Sequence, residues 1–294
     1  MRLVANWLLF PAVLIASIGG AVWALEHGTP MSTVITITSI GCIAVVMLFE
    51  RLAPYRREWN LAHGDLRVDA AYLPMTVGVN AAIEPAVTVI GVLIGSALAG
   101  VLGMGLWPNH WPLLPQVLLA CVVAEFFDYW AHRVMHESEW LWRLHAIHHS
   151  APRLYWLNAT RAHPAEMLFR GTLGMLPLSI LGAGQPVFAM LGVVNVTVGL
   201  FQHANIDFRL GPLSWIFSVG ELHRWHHSAV IDEANRNYGN NFIFWDAVFG
   251  TRFLPADRQC PADLGIGRSF PTTLGAQLAA PFRWSRIAGS DLSV

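Results

Sequence analysis

Polar and apolar residues segregate along this chain into long uncharged runs separated by short polar punctuation. Residues 3–25 contain only Asn6 as a strongly polar interruption. At ~1.5 Å per residue such a run covers a ~30 Å hydrocarbon core. No convincing small-residue cleavage site follows it, so a retained helix is expected rather than a removed signal. A second, shorter run extends from Thr33 to Phe49. The third, Ala70 to Trp107, is longer than one straight crossing needs and is broken by Asn80, Glu84-Pro85 and several glycines, which predicts a long or kinked helix with an interfacial start. The Trp- and Pro-rich segment Gly105 to Pro115, with His110, reads as an interfacial turn. Gln116 to Trp130 then leads back. Residues 171–202 are apolar again, but Gly182 to Pro186 divides them into pieces of about 11 and 16 residues, the length of a re-entrant hairpin or of two tilted helices. Beyond Asn205 no run is long enough to span. The expected fold is therefore an all-α, multi-helix integral membrane protein of about four crossings plus that hairpin, carrying a helical cap.

Composition agrees. The chain is 54% hydrophobic and 13% charged over 294 residues, about half the charged share of a soluble domain. A formal net charge of −1 offers no electrostatic footprint for nucleic acid. Arg51, Arg56, Arg57 and Arg67 follow the second run, and Arg209, Arg224, Arg236, Arg252, Arg258 and Arg268 punctuate the last ninety residues. The positive-inside rule then places residues 50–70, the N-terminus and the cap in the cytoplasm, and the membrane expected is a bacterial inner membrane. The division expected is transmembrane helices over residues 1–110, a second domain over 111–255, which the resemblance described below implies is catalytic, and a tail over 256–294, with Gly275 to Val294 a loose or surface-lying helix. Cys42, Cys121 and Cys260 are scattered without a CxxC, so any metal must be held by nitrogen and oxygen.

Histidine supplies that nitrogen. Ten of the 13 histidines fall between residues 132 and 227. Asp128, His132 and His136 lie at i, i+4 and i+8 on one helix face; His145, His148 and His149, and again His223, His226 and His227, repeat an i, i+3, i+4 spacing. A lone histidine is ordinarily a hydrogen-bonded core or surface residue, but this density at ligand spacing points to metal. With His203, and His163 as a tenth, the set exceeds what one cation can use, so two metals are implied. Imidazole suits iron and zinc alike. Asp128, one turn before His132, fits a carboxylate that accepts the proton of a ligand's other ring nitrogen; otherwise it is a helix acid paired with an arginine. Arg153, Arg161 and Arg224 are read as snorkelling residues or lipid-headgroup contacts, Glu84 as a partnered or interfacial acid, and Asn237 and Gly239 as a turn.

HRVMH (132–136), HAIHH (145–149) and HRWHH (223–227) resemble the three histidine boxes of the fatty acid hydroxylase and sterol desaturase superfamily of membrane di-iron enzymes, and NYGNNFIFWDAVFGT (237–251) is similar to the segment that closes that domain. The resemblance covers about residues 118–252. It implies two non-haem irons using O2 and two electrons to oxidise a lipid C–H bond. The ligands it implies are His132, His136, His145, His148, His149, His223, His226 and His227. His163 and Glu166 sit in RAHPAE, similar to a stretch of the sterol-oxidising branch. His203 departs from an HX3H pair found in some members, having Gly199 and Asp207 four residues to either side; Asn195, Asn205, Asp207 or His163 is left to complete its shell. Hydroxylation of a membrane acyl, ether or amino-lipid is expected over desaturation of a sterol or other lipid. Electrons must come from a separate ferredoxin-, cytochrome- or pterin-type donor, because no haem or cluster motif is visible. A haem-binding electron carrier would need paired histidines deep in the bilayer, and a metal transporter a polar path through it; neither pattern is present.

Overall fold

The computed structural model describes residues 2–260, 263–266 and 270–287. Among them there are helices and isolated bridges but no strand. Six long helices run as three successive hairpins, α1 (Arg2–Glu26) to α2 (Met31–Leu52), α3 (Leu66–Leu102) to α4 (Leu113–Glu137), and α6 (Pro164–Leu181) to α7 (Gln185–His203), and they pack chiefly across hairpins, with α3 and α4 against α6 and with α1 and α2 against α7. Two shorter helices, α5 (Glu139–His149) and α8 (Gly220–His226), belong to the cap.

Every hairpin opens toward the cap. Asn6 of α1 bonds Asp207 and the Arg209 amide, Glu50 near the end of α2 accepts the amides of Trp156 and Asn205, and Thr76 near the start of α3 donates to the Thr160 carbonyl. At the opposite end Asn109, in the α3–α4 turn, reaches the Gly182 carbonyl in the α6–α7 turn at 3.4 Å, and Trp107 packs on Gly182. The α6–α7 pair therefore runs as deep as the α3–α4 pair, which favours two full-depth helices over a shallow re-entrant loop. Five described helices, α1 to α4 and α7, are long and apolar enough to cross a membrane by length and composition, one more than the four runs suggested. Pro186 explains the difference: it occupies the first turn of α7, where its missing N–H is harmless, and starts the helix instead of breaking it.

Close packing between α3 and α6 depends on absent side chains. A Cβ added at Gly95 would strike the Ile180 carbonyl, and one at Gly91 the Ser179 side chain. Small residues let two helix backbones approach where the hydrophobic effect supplies no drive. Large apolar side chains such as Ile15, Ile37, Leu93 and Val101 stand exposed along α1, α2 and α3, as a lipid-facing surface requires. The chain is an integral membrane protein.

The cap decides one expectation and corrects another. The tail is docked rather than loose: Ala280 and Trp284 are buried with Trp142, Ile147 and Tyr72, and the Tyr72 hydroxyl donates to Gln277 at 2.9 Å. Residues 288–294 of that expectation lie outside the described residues. The three arginines read as snorkelling or headgroup contacts are buried instead. Arg153 holds Asp65 through both carboxylate oxygens, Arg161 pairs with Asp69, and Arg224 lies 4.0 Å over the Tyr55 ring. A buried guanidinium survives only when paired or stacked, so these residues fasten the loops of the cap onto α3 and the α2–α3 connection.

Candidate metal centre

Nine histidines converge where α4, α5, α7 and α8 meet, in two adjoining groups. His132, His136, His145, His149 and His226 form one group; His148, His203, His223 and His227 form the other. In each group one nitrogen per ring lies within 4.8 Å of the others'. The two i, i+3, i+4 boxes are interlocked. In α5, His145 and His149 project to the first group while His148, about 100° around the helix, projects to the second. α8 does the reverse, giving His223 and His227 to the second group and His226 to the first. The groups touch, with the His149 and His227 rings 4.5 Å apart between centroids.

The outer nitrogens fix the chemistry of the inner ones. Nδ1 of His132, His148 and His226 faces the backbone carbonyls of Tyr238, Arg161 and Arg236 at 2.6, 3.1 and 2.8 Å. A carbonyl only accepts, so each of these Nδ1 atoms carries the proton. His145 Nδ1 meets Glu166 Oε1 at 2.6 Å, His136 Nδ1 meets Asn235 Oδ1 at 3.0 Å, and His203 Nδ1 meets Asn158 Oδ1 at 2.9 Å. In the neutral rings Nε2 is then a bare lone pair. Yet Nε2 of His132 lies 2.9 Å from that of His145 and 3.0 Å from that of His226; His145 and His149 approach to 3.1 Å, His203 and His223 to 3.2 Å, His223 and His227 to 3.0 Å. Between His132 and His145, and between His132 and His226, two lone pairs are opposed, and at this separation they repel unless a cation lies between them; Nδ1 of His223 and of His227 is buried without a partner, so no outer bond sets the tautomer of those two rings. Ligand bonds of ~2.1 Å at right angles place donor atoms ~3 Å apart, so the spacing is that of a coordination shell. His136 Nε2 is buried with no partner at all, a further donor aimed at the first group. The residues present fit a metal.

Burial keeps the rings neutral, as ligands must be. Desolvation pushes His148 down to about 3 and holds His145, His149, His223, His226 and His227 well below the ordinary histidine range.

Behind the rings stands a shell that the sequence reading largely missed. The loop 237–241 presents the Tyr238 carbonyl to His132 and is itself held by two buried carboxylates. Asp246 accepts the amides of Tyr238 and Gly239 and the Thr251 hydroxyl, at 2.8, 2.7 and 2.6 Å; Glu125 accepts the amides of Asn240 and Asn241. Asn237, read as a turn residue, does take a positive φ of 54°. Gly239 is required because a Cβ there would meet the Phe242 carbonyl. Among the residues expected at the site, Asp128 points elsewhere: it forms a two-pronged ion pair with Arg170 at 2.9 and 2.6 Å and touches no histidine. Glu166, quoted in RAHPAE, occupies the position imagined for it. His163 lies outside both groups; it caps α6 by accepting the Ala165 amide, and its Nε2 faces the Leu278 carbonyl. The side chains offered to complete the His203 shell are also engaged elsewhere: Asn195 with Asn241, Asn205 with Arg56 and Asn60, Asp207 with Asn6.

Residues 117–251 match the family model for fatty acid hydroxylases. The chain is 41% identical over 281 residues to an ornithine lipid hydroxylase of Rhizobium tropici, an alignment covering 94% of this chain and 83% of that one. It is 29% identical over 146 residues to a very-long-chain aldehyde decarbonylase of Oryza sativa subsp. japonica, covering 48% of this chain and 54% of that one. It is 28% identical over 147 residues to a methylsterol monooxygenase of Arabidopsis thaliana, covering 49% and 54%. No solved structure matches. The match of histidine boxes, membrane helices and a full-length hydroxylase relative has one reading: the chain belongs to the fatty acid hydroxylase family and is a membrane lipid hydroxylase, an oxidoreductase.

Proposed function

We propose that the two histidine groups each hold one iron, His132, His136, His145, His149 and His226 the first and His148, His203, His223 and His227 the second, and that the enzyme hydroxylates an ornithine-type aminolipid. The supporting observation is the set of bare Nε2 lone pairs of His132, His145 and His226 opposed at ~3 Å in the first group, which a cation reconciles, beside four converging ring nitrogens, one from each of His148, His203, His223 and His227, in the second. Held by these residues, two irons would supply the activation of O2 that the overall reaction requires, in which a C–H bond, O2, two electrons from a separate donor and two protons give a C–OH group and one water.

This chain's own residues do the positioning. Glu166, Asn158, Asn235 and the carbonyls of Tyr238, Arg161 and Arg236 hold the Nδ1 protons and so aim each Nε2 inward. The docked cap excludes water: His145, His226 and His227 are fully buried. α4 and α7 carry His136 and His203 in their last turns, at the boundary where lipid polar groups lie, on the cytoplasmic face by the arginine distribution. The substrate class is carried by the ornithine lipid hydroxylase to which the chain is 41% identical. Lipid analysis of a deletion strain tests the proposal. An ornithine-type lipid lacking one oxygen atom should accumulate and revert on complementation; an unchanged lipid profile would refute it.

A further inference from the structure

A cavity of about 300 Å³ lies between α3, α4, α6 and α7, separate from the histidine groups but sharing one wall, Glu166, with them. Counting from its far end at Gly103, α3 needs roughly 20 of its residues to cross a ~30 Å hydrocarbon core, which sets Glu84 at the membrane boundary on the cap side. Glu84 stands exposed at the cavity mouth, with no hydrogen bond or ion pair to any described residue.

The lining holds four carboxylates, Glu84, Glu125, Asp128 and Glu166, against one guanidinium, Arg170. Asp128 takes Arg170 through both carboxylate oxygens, the guanidinium reaching Glu166 only at 4.0 Å and through Oε1, and Glu125 is satisfied by the amides of Asn240 and Asn241. What remains is one-sided. Glu166 Oε2 and Asn241 Oδ1 are buried acceptors without a donor, in residues 2% and 3% exposed. No lining residue contributes a buried unpartnered donor. Leaving such acceptors dry and unpaired is unfavourable, so the cavity is built for a ligand rich in N–H groups. Its other feature is uncompensated negative charge at the mouth, which selects a cation.

We propose that this cavity is the headgroup site of the substrate lipid, that it recognises a protonated primary amine through Glu84 at the mouth and the acceptors of Glu166 and Asn241 inside, and that the lipid enters laterally between α3 and α7. Glu166 touches the amine with one oxygen and His145 with the other, so one side chain separates the anchored headgroup from the first histidine group. The proposal rests on the aminolipid reading above and assigns its specificity.

The test is binding, measured by native mass spectrometry on the metal-free full-length chain in detergent. The probes are an acyl-ornithine lipid with its side-chain amine free, the same lipid with that amine acetylated, and phosphatidylglycerol. A charge-assisted hydrogen bond gives roughly tenfold preference for the free amine over its acetylated form. Glu84→Gln should reduce that preference to about twofold or less, while Glu84→Asp retains most of it. Glu84 is exposed, so the variants fold, and an unchanged melting temperature verifies this. Equal binding of the two ornithine lipids, tighter binding of phosphatidylglycerol, or a preference that survives Glu84→Gln would overturn the assignment. A preserved preference in a metal-loaded enzyme that leaves the aminolipid unoxidised would instead refute the aminolipid hydroxylase reading.

Discussion

Replacing Glu166 by glutamine exchanges the carboxyl at the back of the first histidine group, which a bound cation would hold ionised, for a neutral amide while keeping an acceptor in place. Glu166 Oε1 lies 2.6 Å from His145 Nδ1, and both residues are buried. A hydrogen bond to a charged group contributes ~1.5–3 kcal/mol and one between neutral groups ~0.5–1.5 kcal/mol. The difference, about 1–1.5 kcal/mol, corresponds to a roughly tenfold loss of affinity at one of two metal positions, within the ~10–100-fold found when such orienting partners are removed. Competitive titration of the metal-loaded full-length chain with a chelator resolves it: one release phase shifts about tenfold and the other stays within about twofold. Asp128→Asn is the control. Its ion pair with Arg170 touches no histidine, so metal affinity should hold within about twofold. Stability should fall by about 1–2 kcal/mol, because the pair is 15–18% exposed and partly screened. Asp128→Asn weakening the metal as much as Glu166→Gln, or both phases shifting together, would refute the assignment of Glu166 to His145 and the first group.

Three further outcomes follow from the same geometry. In the metal-free chain the cluster rings are neutral when folded, with His148 at about 3 against 6.5 for an ordinary histidine; the unfolded chain therefore takes up more protons, and stability is present above pH ~6.5 and lost as pH falls below it, by about 1.4 kcal/mol per unit for each such ring. Thermal melting between pH 8 and pH 5 checks this, and a pH-independent melting temperature would contradict it. Asp246→Ala leaves the Tyr238 and Gly239 amides and the Thr251 hydroxyl without an acceptor; at ~1–3 kcal/mol each this lowers the melting temperature and loosens the metal nearest His132. Gly95→Leu collides with the Ile180 carbonyl and should be destabilised by ~1–3 kcal/mol or more in a detergent melt, whereas Gly100→Leu, with open space around it, should melt like the parent.

The parts legible in the sequence were those set by local periodicity. Uncharged runs located the membrane helices, and i, i+4 spacing placed His132 with His136 and His145 with His149. The crossing of the boxes, His148 joining His223 and His227 while His226 joins His145 and His149, depends on how α5 docks against α8, which no single helix encodes. Asp128 shows the limit of spacing arguments: one turn from His132 along α4, it leans toward α6, where Arg170 neutralises it. Glu125 and Asp246 have no role that spacing reveals, because their partners are backbone amides of the loop 237–241, created only when that loop folds over α4. The buried arginines were misread for the same reason: Asp65 and Asp69 meet Arg153 and Arg161 across some ninety residues of chain.

Iron content and the absorption spectrum of the purified full-length chain, compared with those of His148→Asn and His203→Asn, test the two-metal centre most directly. The parent should bind about two irons with no haem band, and each variant about one, because both residues belong to the four-histidine group. A parent that binds one iron or none, or variants that lose both metals together, would contradict it.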